Sequence, residues 1–236
     1  MGIRLSSAIL FALIALPTLT HGAAIKWSAD NFAWKNGLIL KQGVPFTGKV
    51  SGKYRGAIKN GKPVGLFRWY NERGQLKGRV NYNQSGKLHG TFETFHDDGR
   101  LHWRKSYRNG ATLGKWHIYQ KNGEWSVTEY IDGKRNGLSR SFWPNGELWS
   151  EERYTVVDGE EREHGVWKSY YSDGTLRTED KWHQGCHELS ISYHPNGKLK
   201  SKGRMDCVSR DGLWVFYNQN GTLKRKDTYK NGKVVD

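Results

Sequence analysis

A five-point signature returns seven times along this chain of 236 residues: Gly, an aromatic two residues later, another aromatic five later, Gly nine later, and Leu or Trp eleven later. It is intact at Gly65-Phe67-Tyr70-Gly74-Leu76, Gly90-Phe92-Phe95-Gly99-Leu101 and Gly114-Trp116-Tyr119-Gly123-Trp125. It is intact again at Gly165-Trp167-Tyr170-Gly174-Leu176 and Gly212-Trp214-Tyr217-Gly221-Leu223. Two copies depart from it: Ser139 replaces the first aromatic after Gly137, and Glu188 and Ser190 replace both the leading Gly and the first aromatic. Those two units are expected to be looser or specialised. The starts at 65, 90, 114, 137, 165, 188 and 212 lie 23 to 28 residues apart. A period of this size marks a tandem array in which each unit buries its apolar face against its neighbours. Such arrays usually serve as binding surfaces.

One copy shows what a unit is. The aromatic run from Trp167 to Tyr171 leads into Ser172-Asp173-Gly174, where other units hold Asn122-Gly123, Asn145-Gly146, Asn196-Gly197 or Asn220-Gly221. Asn-Gly and Asp-Gly accept positive φ and signal a hairpin. The next strand alternates, with Leu176, Thr178, Asp180 and Trp182 on one face and Arg177, Glu179 and Lys181 on the other. The six-residue step from Leu to aromatic recurs as Leu76–Tyr82, Leu101–Tyr107, Leu148–Tyr154 and Leu223–Tyr229, and an even step predicts one shared, buried face. A second Gly-bearing turn, as at Asn109-Gly110 or Asn231-Gly232, opens the next unit. The fold class expected is therefore all-β, an elongated array of tandem antiparallel hairpins. The aromatics at offsets two and five differ by three, which requires either a bulge or burial on both faces. The pattern does not choose between them.

Composition agrees with a thin, aromatic-lined stack: 11 Trp, 12 Tyr and 29 Gly stand in a chain only 36% hydrophobic. The net charge of +15 favours anionic partners without naming one. Residues 8–16 form the one long apolar run, after Arg4 and before Pro17 and the small residues Gly22, Ala23 and Ala24. That is the pattern of a secretory signal peptide, short for a membrane span, with retention as an uncleaved anchor the alternative. The expected division is a signal peptide over residues 1–23, a lead-in over 24–42 and the array over 43–236. Export permits disulfides. The two cysteines, Cys186 and Cys207, sit at matching places in neighbouring units, so one bridge between them is expected.

The pattern Gly-x-Trp-x-x-Tyr-x-x-Asn-Gly-x-Leu followed by Tyr-x-x-Gly resembles the variant MORN repeat of bacterial proteins similar to the YwqK-type antitoxin family. The likeness covers about residues 43–233, and Pro45-Phe46-Thr47-Gly48 is similar to the usual opening of such arrays. The resemblance implies an extended, twisted sheet of stacked hairpins. Together with a signal peptide it implies a periplasmic immunity protein that binds a secreted toxin, with phospholipase effectors delivered by type VI secretion among the candidates.

Signatures of enzymes are missing. The chain has no Gly-x-Ser-x-Gly elbow, no phosphate-binding glycine loop and no His-Glu-x-x-His. His183, Cys186, His187 and His194 are the best set for a metal, but the histidines occupy variable turn positions and Cys186 is expected in a disulfide. The adjacent pairs Glu151-Glu152 and Glu160-Glu161 read as solvated charge rather than a convergent acid/base pair. The expectation is a non-enzyme without cofactor or metal.

Docking candidates are of three kinds. The longest unit carries extra residues over 156–164, an acidic loop with Asp158, Glu160, Glu161 and Glu163; insertions in repeat arrays often map to the binding face. Trp103, Trp143 and Trp149 are tryptophans outside the repeat pattern and hence candidate hot spots. Lys198, Lys200, Lys202 and Arg204 alternate along one strand, with Lys224 and Lys226 extending their face. That row suits an acidic toxin. The alternative function is an envelope-associated scaffold that binds anionic lipid or another envelope polymer through this basic face, with weak contact to an anionic membrane surface. Export argues against nucleic acid as the partner.

Overall fold

The computed structural model describes residues 23–235, and every regular element in them is a strand. The expected signal peptide falls, but for its last residue, outside the described residues. Consecutive antiparallel hairpins join into one long open sheet, as the repeat predicts.

The lead-in forms β1 (Ile25–Lys26), β2 (Phe32–Lys35) and β3 (Leu38–Lys41), and β4 (Val44–Pro45) completes a separate three-stranded sheet with the last two. The main sheet starts with β5 (Gly48–Ser51), which pairs in parallel with β1. It continues in chain order through β6 (Tyr54–Lys59), β7 (Lys62–Tyr70), β8 (Leu76–Tyr82), β9 (Leu88–Phe95) and β10 (Leu101–Arg108). Next come β11 (Ala111–Tyr119), β12 (Trp125–Ile131), β13 (Lys134–Phe142), β14 (Leu148–Val157), β15 (Glu160–Glu163) and β16 (Gly165–Tyr170). The array closes with β17 (Leu176–His183), β18 (Cys186–Tyr193), β19 (Leu199–Cys207), β20 (Arg210–Tyr217), β21 (Leu223–Lys230) and β22 (Lys233–Val234). Each strand pairs with the next, except that β14 pairs with both β15 and β16.

Among the described residues the clustered core lies at the head. Phe32 and Ile39 of the small sheet bury Val50, Ile58, Phe67 and Val80 of the large one, and Trp27 stacks on Phe32 at 4.8 Å. Each such side chain stabilises by about 1.5–3 kcal/mol on burial. The small sheet thus caps the first units, a role every repeat array needs filled at its ends.

The two turns of a unit differ. The mirror-type turns, with positive φ at both central residues, are the second ones: Asn109-Gly110, Asp132-Gly133, Gln184-Gly185 and Asn231-Gly232. The first turns are five-residue loops in which Gly alone has positive φ. There the Asn acts through its side chain, as where Asn145 Oδ1 accepts from Glu147 N at 3.1 Å and Asn196 Oδ1 accepts from Lys198 N at 3.1 Å. Asn-Gly was expected to bend the backbone at both places; in the first turn it caps instead.

Register resolves the aromatic step of three. Tyr70 pairs with Leu76 while Trp69 pairs with Gly78, so Lys77 is an extra residue on the return strand. The same shift recurs at His102, Trp149, Arg177, Lys200 and Lys224. The outgoing strand is regular, so Phe67 and Tyr70 point to opposite faces, with Tyr70 under the Arg55 guanidinium at 4.1 Å. The expectation that Leu and the aromatic six later share a face is therefore corrected. Leu76 stands opposite Tyr70, and Tyr82 opposite Gly65.

That last pairing is itself periodic. The leading Gly faces the aromatic of its own unit as Gly65–Tyr82, Gly90–Tyr107, Gly114–Tyr130, Gly137–Tyr154, Gly165–Trp182 and Gly212–Tyr229. Gly65 and Gly212 hold φ of 66° and 67°, which disfavours any side chain there. The unit that starts at Glu188 has no such pair, since Glu188 replaces Gly and Met205 the aromatic. In that unit alone the strands are tied covalently: Cys186, which opens β18, is bonded to Cys207, which closes β19. The expected Cys186–Cys207 bond is present, but it ties the two strands of one unit, where the non-covalent pairing is missing, rather than two neighbouring units.

Direct partners line up into rows across the sheet. On one face, the front, a row runs Trp69, Gly78, Thr94, Trp103, Ile118 and then through Ser126, Ser141 and Ser150 to Ser169, Thr178, Ser192 and Ser201. The back face carries a row rich in charge.

Candidate functional site

The densest charge on the back belongs to a row that begins Arg55, Arg68, Arg79, Glu93, Arg104, His117. Each is the direct partner of the next, which places neighbouring Cβ atoms about 4.5–5.5 Å apart. Its ends lie 62 residues apart in sequence and five strand spacings apart in the sheet, yet register alone brings the groups together. Three arginines in succession repel one another, and like charges directly opposed destabilise a sheet.

Glu93 holds the row in order. Its side chain is 4% exposed and accepts from Nε of both Arg79 and Arg104, the latter at 2.7 Å. Burial alone would raise its carboxyl, but the two hydrogen bonds and charges outweigh it and hold the group below its ordinary value. Arg79 and Arg104 remain 46% and 48% exposed, so their outer nitrogens face solvent beside Glu93. Leu66, Asn81, Thr91 and these three residues line an open depression of about 300 Å³. Four guanidiniums around one carboxylate leave three positive charges in excess. A planar guanidinium grips carboxylate or phosphoryl oxygens in bidentate fashion.

Further along the row the charges cancel. Arg140 bonds Glu151 at 2.6 Å, Lys168 lies 3.7 Å from Glu179, and apolar Ile191 and Val215 separate Lys202 from other charges. Burial pushes the His117 imidazole down. Among the described residues no three His, Cys, Asp or Glu side chains gather as a metal would need.

The residues singled out in the sequence do not form one patch. Trp103 packs into the front row, 4.6 Å from the Phe92 ring and 5.2 Å from the Lys105 ammonium, and is not a free tryptophan. Trp143 and Trp149 do meet, at 5.4 Å, and Trp149 is 38% exposed because it is the extra residue of its strand. The acidic insertion is a strand extension rather than a loop: Val157 pairs with Glu160 and Tyr154 with Glu163 around the Asp158-Gly159 turn. Asp158 and Glu160 are exposed, whereas Glu161 is bonded to Arg135 through both Nε and the backbone N–H at 2.8 Å. This hairpin lies at the far end of β14 from Trp149, roughly 30 Å away along a ten-residue strand. Lys200, Lys202 and Arg204 are exposed on β19 and make no ion pair among the described residues, while Lys198 sits in the preceding turn and donates to Asn220 O at 2.9 Å.

The arginine row was missed in the sequence, where its members lie 11 to 14 residues apart. A signal existed. Offset three of each unit and the third residue after its Leu meet in every bulged hairpin, giving Arg68 with Arg79 and Glu93 with Arg104.

The repeat geometry agrees with the family comparison. The model of the MORN repeat variant matches residues 63–84, 135–155, 163–183, 189–206 and 210–231. Five units of this chain are MORN repeats. The hairpins at residues 85–134 lie outside those matches; both keep the Gly–aromatic pair, and the first but not the second has the bulge. No curated protein matches this chain. The disulfide of the array points to a non-reducing environment.

Proposed function

We propose that this protein is an exported, non-enzymatic binding protein of the periplasm that captures an acidic protein partner on its back face. The observation that supports this best is the run Arg55, Arg68, Arg79, Arg104 with its single buried counter-charge Glu93. A row of like charges costs stability in the free protein, and an incoming carboxylate surface offsets that cost. Following the resemblance to antitoxins, the partner is a secreted toxin, with phospholipase effectors of type VI secretion the first to try. Binding blocks the toxin's active site or its access to substrate, and the protein itself turns over nothing.

The test is challenge of a deletion strain with each effector encoded beside this protein's gene. The strain is sensitive to one of them, wild-type protein restores growth, and a variant with Arg68→Glu and Arg104→Glu does not. In vitro, capture of that effector weakens steeply between low and high salt. Survival of the deletion strain under every neighbouring effector overturns the immunity reading. Exposed Lys200, Lys202, Arg204 and Lys226, free of ion pairs among the described residues, support a second reading, adhesion to an anionic membrane surface. Cosedimentation with anionic but not neutral vesicles, lost on Lys202→Glu with Arg204→Glu, is its test.

A further inference from the structure

The front face holds a strip that the back-face reading leaves unused. From Ser126 to Ser201, seven successive hairpin strands contribute a hydroxyl at the same place, each the direct partner of the next. Six strand spacings make the strip about 29 Å long. The hydroxyls bond one another where they meet, Ser169 with Thr178 and Ser192 with Ser201, both at 2.7 Å. Each such bond uses one of the donor and acceptor positions of a hydroxyl and leaves others open. The neighbouring row adds Thr128 and Ser139, bonded at 2.8 Å, together with the carboxylates Glu152 and Asp180. Beside these stands an aromatic wall in which Tyr154 lies 5.3 Å from Trp167, and Trp167 lies 5.1 Å from Trp182. Ser139 and Ser190, the departures from the repeat signature, belong to this strip.

We propose that this strip is a binding trough for an uncharged, extended β-linked polysaccharide chain. The chemistry excludes other occupants in turn. An acyl chain needs an apolar floor, and this one is hydroxylic. A polyanion needs free cations; the strip bears Glu152 and Asp180, and the guanidinium beside its wall, Arg135 over Tyr154, is already bonded to Glu161. A peptide strand adds to a sheet through an edge, not a face. A sugar chain presents alternating C–H faces and hydroxyls. The Trp167 indole covers the former, with Tyr154 and Trp182 backing it, while serine hydroxyls and carboxylates exchange hydrogen bonds with the latter. The trough ends where Ile118, Trp103 and Trp69 fill the same row towards the head.

The test titrates the purified, oxidised protein with cellohexaose and with chitohexaose, followed by calorimetry and tryptophan fluorescence. Saturable binding of at least one sugar is expected, with a change in Trp emission. Ser169→Phe, which fills the trough, weakens it at least about tenfold. Thr178→Val keeps the shape, removes one hydroxyl and weakens it about threefold or more, which keeps the proposal falsifiable if the bulkier variant does not fold. Glu179→Gln, on the back of the same strand, leaves sugar binding unchanged. Absence of saturable binding by either sugar overturns the proposal, as does undiminished binding in both front-face variants or preference for heparin over the neutral sugars. Toxin capture plays no part in these measurements, so the two proposals can fail separately.

Discussion

The two halves of the front face share a backbone and differ in what they put on it. From Trp69 to Ile118 the row carries three large apolar side chains, Trp69, Trp103 and Ile118, of which Trp69 packs against the core capped by Phe32 and Ile39. From Ser126 to Ser201 the same row is emptied to hydroxyls. The first half is held by burial, the second by the ladder, by cross-strand pairs and by the disulfide. Register, once set by the turns, is therefore free of the row's content. That freedom lets one array spend its head on stability and its tail on a surface.

The sharpest way to break this comparison is to remove apolar volume from each half. Phe67→Ala is expected to cost about 3–4 kcal/mol, since its site beneath the cap cannot collapse. Ser169→Ala, at a comparable depth of the array, is expected to cost under about 1 kcal/mol. Urea midpoints of the two variants decide it; equal losses would mean the halves are built alike.

Next in size is the staple. Cys186→Ser with Cys207→Ser removes a closure over 21 residues and is expected to cost about 3 kcal/mol. Hydrogen exchange should quicken first in β18 and β19, where the Gly–aromatic pair is absent, and leave β7 to β9 protected. Uniform quickening along the chain would show that the bridge serves the whole array rather than the deviant unit.

Glu93→Ala is expected to cost roughly 1–3 kcal/mol, discounted because its two arginines are half exposed. The same residue gives the head an acid limit. Its folded pKa lies below the unfolded one, so its contribution is complete above the ordinary carboxylate range and is lost as pH falls through the folded value. His102 and His117, pushed down chiefly by burial, act at higher pH: what they contribute is complete above about pH 6.5 and drains as pH falls through their folded values. Melting temperature against pH should fall in two stages, with the more acid one reduced in Glu93→Gln and the remainder left to other carboxyls held low, Glu161 among them. The smallest effect is assigned to the tail's back face, where Lys168→Ala should change stability by less than about 1 kcal/mol.

Much of this was legible in the chain. Gly spacing, alternation and two matched cysteines pointed to the hairpins and the Cys186–Cys207 bond. Lys77 and its equivalents were not legible as extra residues, because a bulge is a property of two strands and periodicity describes one. In six of the seven units that single residue moved Leu76 and its counterparts to the opposite face from the residue six later; the hairpin of β11 and β12 lacks it. It also decided which residues form rows. The arginine row and the serine row were hidden for the same reason, being contiguous only across strands. The acidic insertion was read as a loop because its turn, Asp158-Gly159, prolongs a hairpin with residues that are equally at home in loops.

The central claim is that successive hairpins keep their register over the whole array, so that residues far apart in sequence stand in straight rows on an open sheet. Spin labels at Arg140 and Lys226, which lie in one back-face row seven strand spacings apart, test it directly. Double electron–electron resonance should give one narrow peak at roughly 30 Å, allowing for twist. A distribution without a peak, or one centred below about 20 Å, would contradict the account.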